Sequence, residues 1–290
     1  MTATDTALSV DWLAVCRSAV KGLQQVLADA PTTAQRVRET GTRGSGGDRT
    51  LLLDAAAEDV VFAQLDRVAR DGHRFHALSE ERGEVDFGSD HIRVIIDPID
   101  GSLNAKRSIP HYALSIAVAD GPTMADVVFG FVHDFGVREQ FWAWRGRGAR
   151  VDSTCESGEG VRLDPTLGER RTRHGKLELV GIEASDPRYV RDCIDGLAET
   201  AHRIRAFGAV AVTLCEVAAA RMDGMVTLIR SRGVDSAAGQ LIVREAGGIV
   251  SFPDCDEQLG APLDATPSSR LVAARTEQGL RELEQVVVAR

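Results

Sequence analysis

One segment constrains the fold of this chain more than any other: an apolar stretch that ends in two closely spaced aspartates. Residues 91–96, HIRVII, are rich in β-branched side chains and predict a half-buried or fully buried strand. They run directly into the hexapeptide DPIDGS at 97–102, in which a proline and a glycine are typical turn residues. Ser102 stands where a new helix could begin, which would leave unpaired N–H groups beside Asp97 and Asp100. The segment therefore predicts either a ligand-binding strand end or a plain β-turn whose aspartates are turn formers.

The first half of the chain has the pattern of two helices followed by a run of strands. Apolar residues recur at helical spacing over residues 8–30 and again over 51–68, with Gly72 as a plausible end of the second helix. Strand-like apolar stretches then follow at residues 75–78, 91–96, 112–119, 127–132 and 140–144.

The second half alternates strands and helices after a polar, basic stretch at residues 158–176, which we interpret as a connection. Strands are predicted at 177–182, 202–206 and 225–229, and helices at 187–201, 210–222 and 235–248. We therefore predict two α/β lobes, an N-terminal lobe over 1–165 and a C-terminal lobe over 166–290.

The composition excludes several classes of protein. The chain has 290 residues, of which 43% are hydrophobic and 27% charged, as in an ordinary globular protein. Lys and Arg total 34 against 43 Asp and Glu, and this net charge of −9 argues against a nucleic-acid partner. No stretch reaches the ~18 apolar residues of a membrane span. The five cysteines form neither a disulfide framework nor a zinc site, so we expect a cytoplasmic protein without a membrane partner.

Three acidic clusters lie at the ends of predicted elements. Glu80 follows a strand-like stretch, Asp97 and Asp100 end the main strand, and Asp235 opens a helix. Convergence of these carboxylates would destabilise the fold unless a cation compensated, because like charges ~4 Å apart repel by roughly 4 kcal/mol. Oxygen-only ligands favour Mg²⁺ over Zn²⁺. Taken singly, Glu80 is also consistent with a surface charge and Asp235 with a helix N-cap.

Residues 41–50, GTRGSGGDRT, contain four glycines and predict a flexible loop. Such a loop is either a lid or merely disordered, and we expect it to become ordered when metal and phosphate bind.

Four parts of the sequence together resemble the inositol monophosphatase family. DPIDGS at 97–102 is similar to the first signature of that family, and VDSAAGQLIVREAGG at 234–248 resembles the second. Glu80 and Asp54 stand at the matching upstream positions, and order and spacing agree over about residues 8–285. The resemblance is greatest to the archaeal-type branch, in which one enzyme can act on both inositol phosphates and fructose 1,6-bisphosphate.

The resemblance implies a fold, a metal centre and a mechanism. The fold would be α+β, a layered αβαβα sandwich of two lobes with the site between them, and the protein would be a homodimer. Gly101 and Ser102 would donate backbone N–H groups to the phosphate. Asp54 would pair with the Ser102 hydroxyl to polarise a metal-activated water, and Glu80 would help to orient that water. The implied ligands of two or three Mg²⁺ ions are Glu80, Asp97, the Ile99 carbonyl, Asp100 and Asp235.

Three features depart from the family pattern. Ser102 replaces a common threonine but keeps the hydroxyl, and Val234 replaces the usual tryptophan of the second signature. The segment LIRSRGVD lacks the acid that animal-type members carry, so Arg230 or Arg232 there would contact a second phosphate or lie in an exposed loop. The candidate substrate-binding residues are Arg188, Tyr189, Arg205 and Arg230.

Together these features predict a Mg²⁺-dependent phosphomonoesterase. Its substrate would be a small sugar or cyclitol phosphate, namely inositol 1-phosphate, fructose 1,6-bisphosphate or both. The alternatives within the enzyme class are phosphatases of 3′-phosphoadenosine 5′-phosphate or of histidinol phosphate. The alternative from another class is a catalytically silent regulatory protein that keeps the fold and binds a partner.

Overall fold

Layers of helix and sheet alternate through the chain. The computed structural model describes residues 7–43, 49–89, 91–153 and 158–288. The helices are α1 (Trp12–Asp29), α2 (Thr33–Arg36), α3 (Leu52–Arg70), α4 (Ser102–Lys106), α5 (Pro187–Thr200), α6 (Val210–Ala218), α7 (Gly233–Glu245) and α8 (Glu277–Val288). The strands are β1 (Glu39–Arg43), β2 (Arg49–Leu51), β3 (His76–Ser79), β4 (Gly83–Asp86), β5 (Ile92–Asp100), β6 (Ala113–Asp120), β7 (Val127–Asp134), β8 (Glu139–Trp144), β9 (Ala149–Asp152), β10 (Val161–Arg162), β11 (Leu177–Glu183), β12 (Ala201–Arg205), β13 (Gly224–Thr227), β14 (Ile249–Ser251) and β15 (Val272–Ala274).

The larger sheet has eight strands in the order β10-β9-β8-β7-β6-β5-β3-β4. Its neighbouring strands are antiparallel except for β3 and β5, which are parallel. Helices cover both faces, which explains why the run from Val94 to Ile96 in β5 is continuously apolar. Val94 and Ile96 pack in the core that includes α1 and α3, whereas Ile95 packs in the core that includes α6 and α7. A strand covered on both faces shows no clean alternation of polar and apolar residues.

The smaller sheet has five strands in the order β12-β11-β13-β15-β14. Its inner face shares the central core with α6, α7 and the larger sheet, while α5 and α8 cover its outer face. The layers are therefore α1/α3, larger sheet, α6/α7, smaller sheet and α5/α8. This confirms the α+β fold and the αβαβα sandwich. The central core draws side chains from both sides of residue 165, and the proposed lobe boundary there stays a prediction.

The structure corrects several predicted elements. The helix predicted over 210–222 ends at Ala218, and Ala220 has a positive φ of 53°. Just beyond this turn, the Asp223 carboxylate accepts hydrogen bonds from the N–H groups of Arg170 and Leu179. Residues 97–100 of the predicted turn at DPIDGS instead continue β5 with an irregular register, and the chain turns only after them, at Gly101. A proline is tolerated in a strand at such an irregularity.

The glycine-rich segment is bounded by two strands. β1 and β2 pair antiparallel, with Glu39 opposite Leu51 and Arg43 opposite Arg49. The flexible loop predicted over 41–50 is therefore wrong at both ends, whereas residues 44–48 lie outside the described residues.

The structure shows where the cysteines lie and how long and apolar the helices are. Cys16, Cys193 and Cys215 are buried, Cys255 is half-buried, and none of these four forms a disulfide, while Cys155 lies outside the described residues. None of the helices in the described ranges combines the length and the hydropathy that a membrane-spanning segment needs.

Candidate metal centre

Three carboxylates from different elements meet at one end of the larger sheet. β3 and β5 run parallel with Ser79 opposite Ile96, so the next residues, Glu80 and Asp97, emerge side by side. Asp235 lies in the first turn of α7, which packs across the sheet. One carboxylate oxygen from each of Glu80, Asp97 and Asp235 lies within 4.8 Å of the others. The topology thus brings together three of the acids that the sequence singled out.

Burial makes this cluster electrostatically costly. Asp97 is only 1% exposed, and its pKa is raised well above the usual range by burial first and then by Glu80, Asp100 and Asp235. Burial also raises the pKa of Glu80 to about 7. A group of hard oxygen donors that repel one another when ionised suits a divalent cation such as Mg²⁺. Glu80, Asp97 and Asp235 are therefore the residues that could hold a metal.

The fourth predicted ligand, Asp100, has other partners. Its carboxylate accepts hydrogen bonds from the N–H groups of Val210 at 3.2 Å and Ala211 at 2.7 Å, at the start of α6. A carboxylate is favourable there because a helix N-terminus carries partial positive charge. The predicted carbonyl ligand, Ile99, accepts the Ser102 hydroxyl at 3.0 Å. Metal ligation by Asp100 and Ile99 stays a prediction.

Arg232 makes a contact that the sequence did not reveal. Its guanidinium donates two hydrogen bonds to Asp235, at 3.0 and 3.2 Å, and a short one to Glu80. The predicted exposed loop is wrong for this arginine, because its side chain is only 23% exposed, whereas its contact with a second phosphate stays a prediction. In the structure it neutralises part of the charge of the carboxylate cluster.

The turn at the end of β5 brings backbone close to the cluster. Gly101 has a φ of +85° and precedes the first residue of α4. A Cβ atom at Gly101 would lie 2.8 Å from the carbonyl oxygen of His111, so both the conformation and the close approach require glycine. Ser102 then begins α4, and the first N–H groups of a helix have no acceptor within it. This arrangement fits the predicted role of Gly101 and Ser102 toward a phosphate.

Asp54 and Ser102 line one small cavity together with Glu80 and Asp97, but the hydrogen bond predicted between them is absent. The Ser102 hydroxyl donates to the Ile99 carbonyl instead, because a serine at a helix start easily reaches the carbonyl three residues earlier. Asp54 accepts a 3.4 Å hydrogen bond from the Leu51 N–H through Oδ2. Its buried Oδ1 has no partner in the described part of the chain. Burial, and then Glu81, raise the pKa of Asp54 to about 6.

The predicted substrate-binding residues separate into two groups. Arg230 lines a cavity of about 320 Å³ beside Asp235, together with Arg232 and Glu183. The other three do not line either cavity. Arg188 is exposed and pairs with Asp186. Tyr189, on α5, packs at the edge of the core that α5 and α8 cover, and Arg205 is exposed on β12. Substrate binding by all four stays a prediction.

Two buried glutamates near the site were missed by sequence reasoning. Glu58 accepts hydrogen bonds from the Ser79 hydroxyl and from the N–H of Glu81 at 3.2 Å, which fixes the chain on both sides of Glu80. Glu183 accepts the Thr213 hydroxyl at 2.5 Å and borders the cavity beside Asp235. Signals for both were present: Glu58 lies one helical turn after Asp54, and Glu183 ends an apolar strand.

The layered fold is shared with solved structures. The extragenic suppressor protein suhB from Bartonella henselae superposes with a TM-score of 0.76 at 24% sequence identity, covering 97% of this chain and 100% of that one. The fold and the carboxylate cluster together define a layered α+β sandwich with a candidate metal centre.

Curated relatives extend this likeness to the sequence. A fructose-1,6-bisphosphatase/inositol-1-monophosphatase from Thermococcus kodakarensis is 30% identical over 278 residues, which cover 95% of this chain and 97% of the relative. Nus factor SuhB from Escherichia coli K12 is 33% identical over 217 residues, covering 73% of this chain and 74% of that protein.

The chain belongs to the inositol monophosphatase family, whose model matches residues 10–288. It is therefore a phosphoric monoester hydrolase, and the resemblance seen in its two signature segments is confirmed.

Proposed function

We propose that this protein is a Mg²⁺-dependent phosphatase of small sugar or cyclitol phosphates, with inositol 1-phosphate and fructose 1,6-bisphosphate as candidate substrates. The observation that carries the proposal is the buried cluster of Glu80, Asp97 and Asp235 beside the turn at Gly101 and Ser102. The relative from Thermococcus kodakarensis, whose name includes both activities, supports these two substrates.

Each group of residues has a distinct task in the proposed reaction. Glu80, Asp97 and Asp235 would hold two or three Mg²⁺ ions with the help of Asp100 and the Ile99 carbonyl. When bound, Mg²⁺ lowers the pKa of water and offsets the negative charge that develops on the leaving oxygen. The backbone N–H groups of Gly101 and Ser102 would orient the phosphate so that its phosphorus faces the attacking water.

Asp54 is the proposed proton acceptor. With a pKa of about 6 it is mostly ionised at neutral pH, and its unpartnered Oδ1 is available to accept a hydrogen bond from the attacking water. Ser102 would assist by holding the Ile99 carbonyl in place through its hydroxyl.

Replacing Asp54 with asparagine tests this role. We expect kcat to fall by on the order of 10²-fold or more, because general-base catalysis contributes that much in enzymes. Mg²⁺ affinity should change little, and the rise of wild-type activity with pH near 6 should be lost. The matched control is Asp66→Asn, an exposed aspartate on the same helix. A variant with wild-type kcat and an unchanged pH profile would contradict the role.

The proposed function is tested by phosphate release at fixed Mg²⁺, with and without EDTA. The substrates are inositol 1-phosphate, fructose 1,6-bisphosphate, 3′-phosphoadenosine 5′-phosphate and histidinol phosphate. EDTA-sensitive turnover of either of the first two supports the proposal, whereas turnover confined to the last two assigns one of the alternative phosphatases.

A second candidate function follows from the relative named Nus factor SuhB. In that case the protein would keep the fold and act by binding a partner. Absence of turnover on all four substrates, combined with normal folding, would favour it.

We also propose that the protein is a cytoplasmic homodimer. Light scattering coupled to size-exclusion chromatography measures the mass of the particle, and a monomer at micromolar concentration would contradict the dimer.

A further inference from the structure

The side chain of Arg232 lies among the atoms that a metal ion would need. Both oxygens of Asp235 accept hydrogen bonds from its guanidinium, and Glu80 accepts a third. The arginine side chain is 23% exposed, so it is mostly enclosed by the site. These three contacts form a fork that matches the geometry of the two carboxylates.

We propose that Arg232 is an internal competitor of the metal, so that divalent cations bind to Glu80 and Asp235 only by displacing its guanidinium. The inference rests on the proposed function, because it assigns a regulatory role at the same metal centre. Arg232 would thereby raise the concentration of divalent cation at which the metal centre is occupied.

The competition follows from charge and geometry. An arginine side chain does not lose its proton in proteins, so its guanidinium always carries a full positive charge. A divalent cation bound to the same oxygens would stand within a few ångströms of that charge and be repelled by it. A divalent cation also requires close, direct contact with carboxylate oxygens that the fork now holds. The two cations therefore exclude each other.

The structure offers a second position for the displaced side chain. Arg232 is the N-cap of α7, and its carbonyl accepts the Ser236 hydroxyl at 3.1 Å, which anchors the backbone while the side chain turns. The residue also lines the cavity of about 320 Å³ that contains Arg230. Arg232 already lies at this cavity wall, and displacement would release its positive charge from the two carboxylates. Metal binding would thus prepare the cavity for an anionic group of the substrate, such as the second phosphate of a bisphosphate.

Metal affinity measured by isothermal titration calorimetry tests the proposal without substrate. We expect Arg232→Gln to bind Mg²⁺ more tightly than the wild type by on the order of tenfold, a usual size for coupling between two ligands. The matched control is Arg230→Gln, which removes the same charge from the same segment, where the arginine forms an ion pair with Asp254 at 3.8 Å. The control should bind Mg²⁺ within about twofold of the wild type, since exposed charges are screened.

The outcomes separate this inference from the proposed function. Unchanged or weaker Mg²⁺ binding by Arg232→Gln overturns the competition, as does an equal gain in the control. If the glutamine variant does not fold, Arg232→Met removes the charge and keeps an unbranched side chain, and tighter binding than the wild type is again expected. The two proposals can also fail separately. If the wild type hydrolyses none of the four substrates but Arg232→Gln still binds Mg²⁺ more tightly, the competition is supported and the proposed function is contradicted.

Discussion

Replacing Asp97 with asparagine is expected to abolish Mg²⁺-dependent phosphate release. We expect kcat to fall by on the order of 10³-fold or more, because metal activation supplies several kcal/mol of transition-state stabilisation. Asp97 is the most deeply buried member of the carboxylate cluster, and its neighbours Glu80 and Asp235 complete the set of donors. An amide carries no charge and binds a hard cation more weakly than a carboxylate.

The same substitution should not destabilise the metal-free protein. Burial and the surrounding acids raise the pKa of Asp97, which means that its ionised form is unfavourable in the folded state. A neutral amide of the same shape removes that repulsion, so the melting temperature in EDTA should stay the same or rise. Activity and stability therefore change in different directions, which an unfolded variant cannot imitate.

The control for Asp97→Asn lies on the neighbouring strand. Asp120 is paired opposite Ile92, at the far end of β5, and its carboxylate lies beside the imidazole of His91. Asp120→Asn should keep near-wild-type kcat. The assignment of the metal centre would be wrong if Asp97→Asn retained more than about a tenth of the wild-type rate.

Without divalent cations, the protein is expected to lose stability as the pH rises from about 4 to about 7, and Mg²⁺ should reverse this trend. The pKa of Glu80 is raised from 4.5 to about 7, and that of Asp54 from 3.8 to about 6. Because the folded state holds protons that the unfolded state has already lost, it is favoured at low pH. This contribution disappears as the pH passes through the raised pKa values.

Mg²⁺ acts on the opposite protonation state. It binds the ionised carboxylates, so its contribution to stability is greatest above the pKa of Glu80. A ligand at a hundred times its Kd stabilises the folded state by about 2.7 kcal/mol. Thermal melts in EDTA and in saturating Mg²⁺, at about pH 5 and about pH 8, measure both trends. A metal-free protein that melted higher at the alkaline value would contradict the expectation.

The layered fold could be predicted because its central elements carry long, regular patterns. The helices α1 and α3 match the periodicity of their apolar residues, and the unbroken apolar run from Val94 to Ile96 indicates a strand buried on both faces. The helix α8 and the strands β14 and β15 were not predicted. Strands of three residues are too short to show periodicity, and their position is decided by the sheet against which they pack.

The candidate site was predictable in its acids but not in its contacts. Asp97 and Asp235 stand at element ends, where sequence alone marks them. The hydrogen bond from Arg232 to Glu80 joins residues 152 positions apart. The hydrogen bond from the Ala211 N–H to the Asp100 carboxylate joins residues 111 positions apart. Such pairings follow from how α6 and α7 pack on the sheet, which no local pattern encodes.

The position of α6 and α7 between the two sheets has a consequence for the newborn chain. As the ribosome releases the polypeptide from its N-terminus, the eight-stranded sheet is complete at Arg162, before α6 begins at Val210. Until then one apolar face of the sheet, including Ala117, Val132 and Phe141, has no cover from these helices. Glu80 and Asp97 are likewise made long before Asp235. The proposed metal centre therefore cannot form before Asp235 has been made, and we expect catalysis only after α7 has docked on the sheet.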